Sequence, residues 1–187
     1  MNLIMILNKE NESTVNYLSK FSKLLRITLE NSRDKMVLLS EEITAVKNYL
    51  ALQNLENEAY LYHVKVDEAI DARALKIPPM LIQPFIENAV EHAFTDQKEN
   101  RKIDVHVQQI DKQLTCTITD NGIGIDSQKV SDRKNKKSLA TTITSERLEL
   151  LAKDLNKEGS VTIEDRQQHN GRGTIVTLVI PHKTLVA

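Results

Sequence analysis

The order and period of the apolar residues predict an α+β fold: a two-layer sandwich whose sheet is mixed but mostly antiparallel, with helices on one face and two amphipathic helices ahead of it. Alternation with a period of two marks "AYLYHVKVDEAID", residues 103–110, residues 114–119, "SVTIED" and "TIVTLVIP" as strands. Between them, "IPPMLIQPFIENAVEHAF" and residues 143–155 carry apolar residues three or four apart. Most strands arrive as hairpins, so the intervening helices can all lie against one side of the sheet.

Over residues 12–32, Val15, Leu18, Phe21, Leu25 and Leu29 share one helical face, with Lys20, Lys23, Arg26 and Glu30 mainly on others. The second helix starts near Ser40, a capping residue type, with Glu41 and Glu42 favouring its first turn. Its stripe is Ile43, Val46, Leu50 and Leu55, and it ends near Asn57. The short "NSRDK" connection allows the two helices to be neighbours, and a loop continuing to Ser40 would let the second turn away.

After Asn57 the period changes to that of a strand: Leu61, His63 and Lys65 take one face and Tyr62, Val64 and Val66 the other. The next helix, from about Met80 to Phe94, is announced by Pro78 and Pro79 and buries Leu81, Ile82, Phe85, Ile86, Ala89, Val90 and Ala93. Pro84 allows two arrangements, a start beyond Met80 with the proline in the first turn, or a bend. A hairpin across "DKQ" follows, with His106 outward beside Asp104. Residues 126–144 read as a polar, basic loop, and Ile143, Leu148, Leu151, Ala152 and Leu155 as a helix. A second hairpin closes the chain across "RQQHNGRG", leaving His169 and His182 at the surface.

Composition narrows the function. In 187 residues, 25 Lys and Arg balance 26 Asp and Glu for a net charge of −1, so no global field draws nucleic acid or anionic lipid. The single cysteine, Cys116, excludes internal disulfides and cysteine-cluster zinc sites and reads as a small core residue. The apolar run "LIMIL" is far short of the ~20 residues that span a bilayer.

The chain has no G-x-x-x-x-G-K-[ST], G-x-G-x-x-G, H-E-x-x-H or G-x-S-x-G motif. Two stretches remain, "IENAVEH" on a helix and "DNGIGI" after a strand. Asp-Asn-Gly is an ordinary turn, but Gly122 and Gly124 also let backbone approach a flat ligand. Asp120 at a strand end is a good acceptor for an exocyclic amine such as adenine's. Asn88 is a poor mid-helix residue whose neutral oxygen suits Mg²⁺, and His92 lies one turn further on the same face.

In this order, "QPFIENAVEH", "DNGIGI", "SERLELL" and "GRGTIVTLVIP" resemble the N box and three glycine boxes of the GHKL ATP-binding domain. "IPPMLIQPFIENAVEHAF" and the helices before it are similar to bacterial sensor histidine kinases of the LytS/YehU type. The resemblance implies a Bergerat-type fold over residues 58–187 and, over 1–57, the remnant of a dimerisation and phospho-acceptor region with a linker helix. It implies ATP and Mg²⁺ as ligands: Asp120 on the adenine amine, Gly122, Gly124, Ile125, Gly173 and Thr174 along the nucleotide, Lys137, Ser138 and Leu139 at the end of a lid, and Asn88 on the metal. Glu87 and His92 complete the catalytic set, since Pro84 stands where many relatives have a carboxylate four residues before the metal Asn. Glu91 replaces a common basic residue, and "KKSLATTITSERL" lacks the usual glycines.

The activity implied is transfer of the ATP γ-phosphoryl to a histidine and then to a response-regulator receiver domain. The parent is expected to be a homodimer with this portion cytoplasmic, reaching the inner membrane only through other regions. None of the five histidines has the family's "N-P-H-F-x-F-N" context, so this piece is not expected to phosphorylate itself. A serine kinase of the anti-sigma-factor type and a non-catalytic interaction module are the alternatives.

Overall fold

The computed structural model describes residues 35–57, 60–94, 97, 99–125 and 139–185, together with Val15, Leu18, Ser19 and Ser22, which are helical and exposed. The helix read over residues 12–32 otherwise lies outside the described residues, as do residues 126–138 of the basic loop.

Eight strands and three α-helices follow one another as β1 (Val37–Leu38), α1 (Leu39–Asn57), β2 (Tyr60–Val66), β3 (Leu75–Ile77), α2 (Gln83–His92), β4 (Arg101–Ile110), β5 (Gln113–Asp120), α3 (Leu139–Leu155), β6 (Ser160–Asp165), β7 (Thr174–Ile180) and β8 (Lys183–Thr184) among the described residues. The main sheet runs β2-β4-β5-β7-β6. Its β2–β4 pair is parallel and its other pairs are antiparallel, the mixed sheet expected. Alternation decides the faces: Ile103, Val105 and Val107 of β4, Leu114, Cys116 and Ile118 of β5, and Leu178 and Ile180 of β7 enter one core with Phe85, Ile86 and Ala89 of α2 and Leu148 of α3. α1 joins the same core through Leu39, Ile43, Val46 and Leu50. Cys116 is fully buried, which pushes its thiol pKa up.

Pro84 sits in the first turn of α2, where its missing N–H costs nothing, so the helix starts beyond Met80 rather than bending. Both of its termini are shorter than the apolar pattern suggested.

Three expectations are corrected. α3 starts at Leu139, inside the stretch read as loop to 144, and it buries Thr144 at 2% exposure while Ile143 is 45% exposed. Thr144 lies one turn before fully buried Leu148 and therefore on its stripe; Ile143 does not. His182 is buried, because β8 turns back to pair with β3 and folds the chain under the sheet. Burial lowers its pKa, and the Lys157 ammonium donates to its carbonyl at 2.7 Å.

The third correction concerns the start of α1. Ser40 stands inside the helix and does not cap it; Glu41, in the third helical position, reaches back with Oε2 to accept the Leu38 N–H at 3.1 Å, the back-reaching half of a capping box. Glu42 lies in the first turn as expected, and it is 1% exposed. Its Oε2 accepts the Met80 N–H and its Oε1 the Ile82 N–H, both at 2.9 Å.

A second, three-stranded sheet in the order β1-β3-β8 was not foreseen, its strands being two or three residues long. It ties the entry to α1 to the end of the chain, helped by Ser40 N–H donating to the Ala72 carbonyl at 3.0 Å.

Ile86, fully buried between α2 and the sheet, sets a test of this packing. Ile86→Ala is expected to cost ~2–5 kcal/mol of unfolding free energy, read as a lower urea midpoint at unchanged slope. Leu150→Ala, at a side chain 64% exposed, should change it by less than ~0.5 kcal/mol.

Candidate functional site

Two stretches far apart in sequence meet at one end of the sheet. The carbonyl of Ala93, just past α2, accepts the Ile123 N–H at 2.8 Å. A Cβ on Gly122 would stand 2.1 Å from that carbonyl oxygen, so only glycine lets the loop after β5 lie this close to the helix. Gly124 follows with φ +77°, a left-handed conformation, and Ile125 ends the described part of the loop, 37% exposed.

Asp120 is the last residue of β5 and falls on its buried face, 6% exposed. Its Oδ1 accepts two backbone N–H groups, Gly122 at 2.8 Å and Thr174 at 3.2 Å. Burial pushes its carboxyl above the usual carboxylate range; those bonds, the Thr174 hydroxyl and the Arg166 charge oppose the shift. Both backbone bonds go to the same oxygen. Oδ2 therefore takes neither.

The connection between β6 and β7 braces this loop. A short 3₁₀ turn, Arg166–His169, is capped by Asp165, whose Oδ1 accepts the Gln167 N–H at 2.8 Å. The other oxygen of Asp165 accepts the Ile125 N–H at 3.0 Å. Arg166 Nη1 donates to the Asp120 carbonyl at 3.0 Å, and Arg172 Nε to the Gly122 carbonyl at 3.1 Å. Gly173, at φ +107°, brings its backbone so close that a Cβ would meet the Asp120 carbonyl oxygen at 2.1 Å. The sequence reading took "RQQHNGRG" as a polar turn with Gly173 its one site residue, and missed Asp165, Arg166 and Arg172. The one local signal was an arginine set between two glycines.

On α2, Asn88 is half-buried and its side chain makes no hydrogen bond among the described residues. Glu87 accepts the Gln83 Nε2 donor at 2.8 Å. Burial, then the charges of Glu87 and Glu91, push the Tyr49 hydroxyl of α1 up to about 12. His92 is exposed, its Nε2 3.8 Å from a Glu91 oxygen. Thr174 opens β7 against Asp120, and Leu139 is the first residue of α3. Lys137 and Ser138 lie outside the described residues.

The donor set suits an amine-bearing ligand and a hydrated hard cation. Asp120 keeps acceptor capacity in a desolvated spot, where a hydrogen bond counts for more than in water. Among the described residues no three His, Cys, Asp or Glu side chains cluster to hold a metal ion. An ion held by Asn88 would find fewer than three such ligands among the described residues and would complete its shell with water, as Mg²⁺ does.

The family model described as histidine kinase-, DNA gyrase B-, and HSP90-like ATPase matches residues 78–184, and one described as histidine kinase matches residues 1–61. Sensor protein LytS of Staphylococcus epidermidis is 29% identical over 176 residues, 94% of this chain and 29% of the relative. Sensor protein LytS of Enterococcus faecalis is 31% identical over 143 residues, 76% of this chain and 23% of the relative. The chain thus spans less than a third of the curated relatives it matches. The histidine kinase domain of the Erythrobacter litoralis EL346 blue-light activated histidine kinase shares the fold at TM-score 0.53 and 21% identity, covering 90% of this chain and 74% of that one. Histidine kinase ThkA in complex with response regulator protein TrrA does so at TM-score 0.52 and 18% identity, covering 97% and 53%.

The raised Asp120 pKa fixes the sign of a pH effect. Its contribution to stability is complete below the ordinary value of 3.8 and is lost as pH rises through the higher folded-state value. Asp120→Asn removes that titration, so its unfolding free energy should gain on the parent's as pH rises from 3.8, measured by urea unfolding across pH. A gap independent of pH would contradict the burial argument.

Proposed function

Since the chain belongs to the histidine kinase-, DNA gyrase B-, and HSP90-like ATPase family, we propose that it is the ATP-binding catalytic portion of a LytS-type two-component sensor histidine kinase. The observation that carries this reading is the buried Asp120 carboxylate, held by two N–H groups on one oxygen beside the helix that bears Asn88. ATP is the phosphoryl donor in this reading, and bound Mg²⁺ supplies neutralisation of phosphate charge.

Asp120 accepts from the adenine amine. Gly122, Gly124, Ile125, Gly173 and Thr174 shape the wall along the nucleotide, and Lys137, Ser138 and Leu139 belong to the lid. Asn88 offers its oxygen to the metal, with Glu87 and His92 on the same helix. The phosphorus–oxygen bond to ADP breaks, a phosphorus–nitrogen bond forms on a histidine outside this chain, and a response-regulator aspartate receives the group next. Such transfers depend on positioning and charge neutralisation more than on covalent help from the protein, which suits a site with a single metal-binding side chain.

The division at residue 57 into a helical region and a nucleotide-binding domain belongs to this proposal, with α1 seated on the domain core. So do the homodimer, the receiver-domain partner, the absence of nucleic-acid binding, and a cytoplasmic position in a membrane-anchored parent. Among the described residues no helix is long and apolar enough to cross a membrane.

Calorimetric titration with Mg-ADP tests the reading. The parent chain is expected to bind, and Asp120→Asn to bind at least ~10-fold more weakly, as loss of a charged acceptor implies. No heat from the parent would sink the nucleotide assignment and favour a non-catalytic interaction module. A chain extended upstream should then form acid-labile, base-stable phosphate on protein.

A further inference from the structure

The turn that leads into α2 is held from two sides. A helix start leaves backbone N–H groups without partners, and α2 has no side-chain cap of its own. Glu42 of α1 supplies the acceptors: one oxygen for Met80 N–H, the other for Ile82 N–H, both at 2.9 Å, with Leu81 and Gln83 N–H groups also turned toward the carboxylate. Met80 takes φ +54°, uncommon for a residue with a side chain, and so presents its N–H to Glu42. One residue earlier, the Pro79 carbonyl accepts Arg147 Nη2 of α3 at 2.7 Å. α3 is the helix that begins directly after residues 126–138 in the sequence.

We propose that Glu42 and Arg147 are positioning residues for Asn88, acting through the turn of residues 79–82. The inference rests on the nucleotide reading above. From Ile82 to Asn88 is about 9 Å of α-helical rise, a length over which a helix moves as a rigid rod. A shift of the turn therefore reaches the Asn88 oxygen with little loss. It reaches Asp120 only through Gly122, which packs on Ala93, while Thr174 and Arg166 hold that residue from the β6–β7 connection. The metal side of the site thus answers to α1 and α3, and the adenine side to the β6–β7 connection.

This asymmetry separates positioning from general stabilisation. ADP is titrated into the whole chain once with Mg²⁺ and once with excess EDTA, and the ratio of the two affinities is read. Asn88→Ala is expected to abolish the Mg²⁺-dependent gain. Glu42→Gln and Arg147→Gln should each reduce that gain by ~3- to 10-fold while leaving the EDTA affinity within ~2-fold of the parent. Glu42→Ala should lose more than Glu42→Gln, which keeps one acceptor oxygen, and Arg147→Lys should recover part of the gain. Because both act on one turn, the double Gln variant should lose less than the product of the single effects.

Equal losses in both arms, or none in a chain where Asn88→Ala cancels the gain, would overturn the inference. A parent that binds ADP in neither arm would overturn the nucleotide reading as well, so the two failures are distinguishable. If Glu42→Ala does not fold, half-buried Arg147 still gives the decisive comparison.

Discussion

A carboxylate taken out of water has to be surrounded by hydrogen-bond donors, and Glu42 finds them in the backbone leading into α2. That requirement organises much of the molecule. It fixes where α2 starts, keeps Met80 in its left-handed conformation, and locks α1 against the sheet with Leu39, Ile43, Val46 and Leu50 beneath it. The positive end of the α2 dipole faces the charge, which helps to offset the desolvation that raises its pKa.

Asp120 obeys the same rule to a different end. Glu42 gives one oxygen to each N–H, whereas Asp120 meets both of its backbone N–H groups with Oδ1. One carboxylate is committed to the fold; the other keeps acceptor capacity. The loop around Asp120 is built for close approach rather than for flexibility, since added Cβ atoms at Gly122 and Gly173 would each stand 2.1 Å from a carbonyl oxygen. Arg166 and Arg172 then hold the carbonyls that the loop leaves over.

Much of this was legible before any coordinates. The period-two runs became β2, β4, β5, β6 and β7, and Cys116 sits where the alternation of β5 places it. Short elements were not legible, because two- or three-residue strands such as β1, β3 and β8 carry too few positions to show a period and exist only through their partners. The same limit hid His182, exposed by sequence reasoning and buried by the return of the chain under the sheet. Ile143 and Thr144 were misassigned for a different reason, since apolar character suggested one and the stripe through Leu148 selected the other.

The sequence by itself determined the order of elements, the face each strand buries, and the two stretches, "IENAVEH" and "DNGIGI", that meet at the site. These follow from local periodicity and turn chemistry, which act over a few residues. Only the tertiary structure decided which acids are buried and what each holds. Glu42 and its partners are 38 and 40 residues apart, and Arg147 and Pro79 are 68 apart. Desolvation and hydrogen-bond completion are properties of neighbours in space, and no local pattern in the chain encodes them.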